Sequence, residues 1–261
     1  MDLYLLSDVH LFPEPENHPG RETFLSFLSM LSGKEPANLW IAGDLFDYWF
    51  EYRSSVPAGF SRTIAALRRL SDIGWKLDFL PGNHDWWVGS NFERATGMTI
   101  HRAPWVFPES DSIRIILAHG DGFGPGDTGY RLIKPLLRAR LLTGLFSLLH
   151  PTFATFLARG LSGTSRRILR KPVERIPQGL DRWVKLKLRE GADLVATGHT
   201  HLAALRELED GRHLSLGDWL TRFTYSVISG DGVELKEFDR NPVNCSVKQK
   251  CDPFRGKEND R

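Results

Sequence analysis

Short apolar runs recur along the chain, and each breaks off in a cluster of Asp, Asn, His and Gly. Residues 3–6 lead into Ser7-Asp8-Val9-His10, and residues 39–42 into Gly43-Asp44-Leu45-Phe46-Asp47. Residues 77–81 run into Gly82-Asn83-His84-Asp85, 113–118 into His119-Gly120-Asp121, and 194–197 into Gly198-His199-Thr200-His201. Runs this short, bounded by glycine and polar residues, predict buried strands. Between them Phe24, Phe27, Leu28 and Leu31 repeat with helical spacing, as do Ile64, Leu67 and Leu70, with Gly74 as the stop. Strand–helix alternation predicts an α/β core whose ligands sit beyond the carboxyl ends of the strands. Downstream, 203–208, 212–216, 223–229 and 233–238 read as strands separated by Glu209-Asp210-Gly211, Gly217-Asp218 and Gly230-Asp231-Gly232. They predict antiparallel strands completing a second sheet.

Residues 123–190 interrupt this plan. Gly122-Phe123-Gly124-Pro125-Gly126 is loop chemistry, and a Leu-rich, basic, helical stretch follows. Within it, 141–158 carries no charge across 18 residues, the lower bound for a membrane span. His150-Pro151 at its middle and dense flanking cations favour instead a helical cap whose apolar face meets lipid or the core. Core helices with solvated basic faces are the plainer alternative. The expected division is a core in two parts, 1–122 and 191–240, around a cap at 123–190, with a flexible tail at 241–261.

Composition changes little in this picture. The 261 residues are 41% hydrophobic and 25% charged, which excludes disordered, collagen-like and disulfide-scaffold chains. Cys245 and Cys251 both fall in the polar tail, so no cysteine framework or thiolate metal site is expected. The apolar start is too short for a signal peptide, and a cytoplasmic location is the expectation. Charge distribution is more informative than the formal net of +2. Residues 128–189 hold 14 Lys and Arg against Glu174 and Asp181, a net of +12, which leaves −10 for the remainder. Such segregation points to an anionic partner for one region and a cation site in the other.

The strand-end clusters supply that cation site. Asp8, His10, Asp44, Asn83, His119, His199 and His201 offer carboxylates, imidazoles and an amide oxygen without thiolates. That donor set suits Mn²⁺, Fe²⁺ or Zn²⁺, and seven donors serve two ions if a carboxylate bridges them. Paired ions can hold a nucleophile and neutralise a phosphoryl group together. Any one cluster could be an ordinary turn or a buried histidine. Five in this order are not explained that way.

Taken together, Asp8-Val9-His10, Gly43-Asp44, Gly82-Asn83-His84-Asp85, His119-Gly120 and Gly198-His199-Thr200-His201 resemble the five motifs of calcineurin-like metallophosphoesterases, over roughly residues 1–240. The resemblance implies a four-layer α/β/β/α sandwich carrying a helical cap insertion. It implies one ion held by Asp8, His10, Asp44 and His201, and another by Asp44, Asn83, His119 and His199, commonly Mn²⁺. It also implies His84 as the catalytic group at the phosphoryl, oriented by Asp85, with Asp47 and Asp121 orienting ligands.

Within the family, Gly43–Trp49, Asp121–Tyr130 and Leu216-Gly217-Asp218-Trp219 look like the branch that hydrolyses the pyrophosphate of UDP-2,3-diacylglucosamine in lipid A biosynthesis. The insertion directly after His119-Gly120-Asp121 agrees. This implies substrate contacts at Asn83, Asp127, Tyr130, Arg159 and Ser162 and peripheral attachment to the cytoplasmic face of the inner membrane. The basic residues Arg159, Arg166 and Arg167 suit phosphate oxygens, and the Leu- and Phe-rich cap suits acyl chains. His84 departs from that branch, whose best-known members have Arg there, and leaves open another nucleotide-linked or phospholipid substrate. A nucleic-acid phosphodiesterase is the more distant reading, because Phe146, Phe153 and Phe156 lie among leucines and read as buried rather than as stacking platforms. No nucleic-acid partner and no obligate protein partner is expected. A degenerate binding scaffold would lack ligands, and all seven are present.

Overall fold

The computed structural model describes residues 2–18, 20–51, 56–108, 113–123 and 175–239. The expected contacts Asp127, Tyr130, Arg159, Ser162, Arg166 and Arg167, the uncharged run 141–158 and the tail from 241 lie outside the described residues.

Each apolar run forms a strand: β1 (Leu3–Leu6), β2 (Asn38–Ile41), β3 (Lys76–Phe79), β5 (Ile115–Ala118) and β6 (Leu194–Thr197). A short β4 (Thr99–Ile100) and the later strands β7 (Ala203–Leu208), β8 (Gly211–Leu216), β9 (Thr224–Ser229) and β10 (Gly232–Glu237) complete two sheets. The larger has the order β10-β9-β1-β2-β3-β4 and the smaller β5-β6-β8-β7. The expectation for the last four strands needs correction. Only β7 and β8 join the smaller sheet, while β9 pairs antiparallel with β1, Leu3 opposite Ile228, and forms a hairpin with β10. The reason lies in β9 itself. Val227 faces one core and Ile228 the other, so the strand suits an interior position beside β1 rather than an edge.

Alternation along the strands builds four layers. Tyr4 and Leu6 point to the same core as Phe24, Phe27, Leu28 and Leu31 of α1 (Arg21–Ser32) and Leu67 and Leu70 of α2 (Ser61–Asp72). Leu3 and Leu5 point the other way, meeting Ile115, Leu117, Leu194 and Leu214 between the sheets. Ile116 and Val195 face outward again, onto Leu180, Val184 and Leu188 of α4 (Gln178–Arg189). Burying each such side chain contributes about 1.5–3 kcal/mol. The fold is an α/β/β/α sandwich, and α4 covers the smaller sheet although its sequence falls in the stretch read as the insertion. α2 stops where Gly74 takes a left-handed φ of 100° and donates its N–H to the Ser71 carbonyl. α3 (Ser90–Thr96) and β4 are too short to leave a periodic signal. Among the described residues no helix is long and apolar enough to cross a membrane.

β1, β2, β3, β5 and β6 all run in parallel pairs within their sheets, so their carboxyl ends meet at one edge. Backbone bonds tie the loops there: Asp8 N–H to the Gly43 carbonyl at 3.1 Å, His10 N–H to Asp44 at 2.8 Å, and Gly198 N–H to His119 at 3.0 Å.

Candidate metal centre

Three groups of donors converge at that edge: Asp8, His10 and His201; His10, Asp44 and His84; Asp44, His119 and His199. Within each group the donor atoms lie within 4.8 Å of one another. Asp44 and His10 each belong to two groups, so the donors form one continuous centre. His10 Nε2 stands 3.2 Å from His201 Nε2, and Asp8 Oδ1 lies 3.6 and 3.4 Å from those two nitrogens. Asp44 Oδ2 lies 3.3 Å from His119 Nε2, which in turn is 3.2 Å from Asn83 Oδ1. Donors bound at about 2.0–2.1 Å in a tetrahedral shell stand roughly 3.3–3.4 Å apart, so this spacing fits divalent ions. A buried Asp8 Oδ1 that accepts no hydrogen bond fits them as well.

The electrostatics favour cations. Burial opposes ionisation of Asp8, but the imidazoles of His10 and His201 beside it hold the carboxyl well below the usual range. Burial likewise opposes ionisation of Asp44, and the neighbouring His119 and then His84 hold it low. His119 is pushed up to about 10, because the Asp44 charge outweighs the burial that would lower it. His199, half-buried beside His119, is pushed down by desolvation and then by that neighbour. Two carboxylates thus recruit a proton where a metal would sit, and metal binding there must release it.

Backbone conformation marks the same residues. Six non-glycine residues among those described have a left-handed φ, and five are Asp8 (56°), His10 (52°), Asp44 (54°), His199 (65°) and His201 (56°). Such a conformation costs roughly 1–2 kcal/mol per residue and persists where the surrounding structure enforces it for function. The loops also leave no room beside the carboxylates. A Cβ on Gly82 would sit 2.1 Å from Asp44 Oδ1, and one on Gly198 would sit 2.6 Å from Asp8 Oδ2.

The surrounding hydrogen bonds fix each donor. His119 Nδ1–H donates to the Ala42 carbonyl at 2.8 Å, which leaves Nε2 facing Asp44. Asp8 Oδ2 accepts the His199 N–H at 2.8 Å, and Asp44 Oδ1 accepts the His84 N–H at 2.9 Å. Residues 1–203 match the calcineurin-like phosphoesterase family. The chain belongs to that family. It is a metal-dependent hydrolase, of a family that uses two divalent ions.

Among the relatives of this phosphoesterase, a UDP-2,3-diacylglucosamine hydrolase of Porphyromonas gingivalis is 30% identical over 257 residues, covering 91% of this chain and 97% of the relative. A protein of the same name from Pseudomonas savastanoi pv. phaseolicola is 32% identical, covering 94% and 99%. A solved archaeal phosphodiesterase is similar over 91% of this chain and 99% of its own, at 11% identity and a TM-score of 0.46.

One expected role in the phosphoesterase centre is corrected. Asp85 does not orient the His84 ring; its carboxylate accepts the N–H groups of Gly82, Asp44 and Phe46 at 2.9, 3.3 and 3.2 Å. It therefore clamps two ligand-bearing loops together. The His84 ring is set by Asp47 through its carbonyl, at 2.7 Å from Nδ1. Burial and the nearby Asp44 push Asp85 up to about 7. Asp121 acts on His119 and His199 through its charge. Sequence reasoning missed Ala42, whose carbonyl orients His119, because any residue could supply that carbonyl. Nor does the Leu216-Gly217-Asp218-Trp219 motif reveal the role of Trp219, whose backbone N–H donates to the Asp8 carbonyl at 3.0 Å.

Proposed function

We propose that this phosphoesterase cleaves the pyrophosphate of UDP-2,3-diacylglucosamine to UMP and 2,3-diacylglucosamine 1-phosphate. The observation that carries the reading is the convergence of three donor groups linked through His10 and Asp44, with Asn83 Oδ1 against His119, in a chain matched nearly end to end by relatives of that name. Asp8, His10, Asp44 and His201 would hold one ion, and Asp44, Asn83, His119 and His199 the other, with Mn²⁺ the favoured metal over Fe²⁺ or Zn²⁺. When bound, the ions supply Lewis-acid charge neutralisation at the phosphoryl group and activation of water.

The chain's own residues do the rest. His84 donates Nδ1–H to the Asp47 carbonyl, so its Nε2 is the nitrogen that contacts the phosphoryl and passes a proton to the leaving oxygen. Asp85 keeps the Gly82 and Asp44 loops in register, so the ligands and His84 move as one body. Asp127, Tyr130, Arg159, Ser162, Arg166 and Arg167 are proposed to grip the sugar phosphate, and the Leu-rich segment to shelter the acyl chains. The enzyme then works in the cytoplasm against the inner-membrane surface, drawn there by its basic segment.

The Mn²⁺-loaded enzyme should release UMP from UDP-2,3-diacylglucosamine, and a His119→Ala control should not. Equal, background-level release by both proteins overturns the substrate. His84 in place of the Arg of the best-known branch favours a second reading, hydrolysis of another nucleotide-linked or phospholipid substrate. Turnover of such a compound without UMP release from the diacyl sugar would establish it instead.

A further inference from the structure

A cleft of about 580 Å³ opens where α4 begins and the chain passes from His201 into β7. Its walls include Arg175, Arg182 and Arg206, with Ile176, Leu202 and the carboxylate Asp181. Leu202 directly follows His201, so the cleft lies next to the metal centre in the chain while sharing no residue with it. Phe123 closes against the first turn of α4: a Cβ on Gly179 would sit 2.6 Å from the Phe123 carbonyl oxygen.

Three guanidinium groups face one carboxylate, and that carboxylate is engaged. Asp181 is held by Lys185 Nζ and by Arg206 Nη2, each at 2.7 Å. The cleft therefore carries surplus positive charge. Arg206 is also fixed from below. Its Nη2 lies 3.0 Å from His213 Nδ1, and because a guanidinium only donates, Nδ1 is the acceptor. Nε2–H of His213 then donates to Thr197 Oγ1 at 2.9 Å. Burial, and then the Arg206 charge, push His213 down to about 3, which keeps the ring in the neutral form this chain of bonds needs. Thr197 ends β6, immediately before Gly198-His199, so Arg206 is anchored to the strand that carries two metal ligands. An anchored guanidinium loses little freedom on binding. With both Nη2 hydrogens donated to Asp181 and His213, Arg206 offers a phosphate its Nη1–H groups, while the exposed Arg175 and Arg182 supply the planar forks that match phosphate oxygens. Ile176 and Leu202 would meet the carbon skeleton attached to that phosphate.

We propose that this cleft is a phosphate-binding subsite distinct from the metal centre, with Arg175, Arg182 and Arg206 as its recognition groups. The ligand is a phosphate ester, which can come from a distal part of the substrate or from a phospholipid headgroup. The inference does not depend on the identity of the diacyl sugar.

Calorimetric titration of the Mn²⁺-loaded full chain with inorganic phosphate tests it. The unaltered enzyme should show two binding events, one at the metals and one in the cleft. The R175Q/R182Q variant, altered at two exposed side chains, should lose the second or weaken it at least tenfold. Its Mn²⁺ affinity and its turnover of bis(p-nitrophenyl) phosphate should stay unchanged. Sedimentation with phosphatidylglycerol rather than phosphatidylcholine vesicles, lost in the variant, assigns the site to lipid headgroups. A several-fold rise in KM for UDP-2,3-diacylglucosamine at constant kcat assigns it to substrate. Identical phosphate titrations for the two proteins overturn the proposal, whether or not the diacyl sugar is hydrolysed.

Discussion

Five proposed ligands adopt a backbone conformation that their side chains disfavour, and the loops that impose it are held by residues with no expected contact to metal or substrate. Asp85 is the clearest case. Its carboxylate collects three backbone N–H groups from two loops, and removing it leaves those donors buried and unpaired. Asp85→Ala should lower Mn²⁺ affinity roughly 10–100-fold, the usual cost of losing a partner that orients ligands. Calorimetric Mn²⁺ titration of folded protein checks this, and unchanged affinity would return Asp85 to a passive core role. The seven proposed ligands were nameable from the sequence, because motif spacing reports side chains. The left-handed backbones and the Ala42 and Asp47 carbonyls were not, because every residue has a carbonyl and only the fold says where it points.

At the scale of elements, the strand and helix patterns were legible wherever one face is apolar. Phe24, Phe27, Leu28 and Leu31 line α1 as their spacing predicts, and all four are buried. Leu28→Ala should therefore cost about 2–5 kcal/mol in urea unfolding while leaving Mn²⁺ affinity intact, since α1 lies across the larger sheet from the smaller one. A matching loss of metal affinity would mean that α1 does more than support the sheet. Sheet membership of β9 and β10 was misread, because alternation states that a strand has two faces but not which neighbour pairs with it. α4 was read with the basic insertion for a related reason. Its cationic face dominates the sequence, while the stripe of Leu180, Val184 and Leu188 that docks it on the smaller sheet is only three residues.

Across the whole molecule, two buried histidines contribute to the loss of stability in acid. Burial, and then the neighbouring arginine, push His18 down to about 4 and His213 down to about 3. Both are neutral in the folded chain, while in the unfolded chain each takes up a proton near pH 6.5. Their contribution is fully present above about pH 6.5 and is lost as pH falls toward 4 and 3. Between pH 7 and 5 each accounts for about 2 kcal/mol. His213→Gln should flatten the fall in unfolding free energy over that interval by about this amount, measured by denaturation at fixed metal concentration. An unchanged slope would show that His213 is already protonated in the folded state.

The sequence by itself determined the α/β character, the strand and helix faces and which side chains to propose as metal ligands. Those depend on local periodicity and on chemistry carried by single residues. Only the tertiary structure decided that the Ala42 carbonyl orients His119, that Asp85 clamps loops instead of steering His84, and that Arg206 lines one cleft with Arg175 and Arg182. Each of these is a distance between residues far apart in the chain, set by how two sheets stack and where their loops meet. The segregated charge was countable from the start. Where α4 placed its share of that charge, beside His201, required the packing of its apolar stripe.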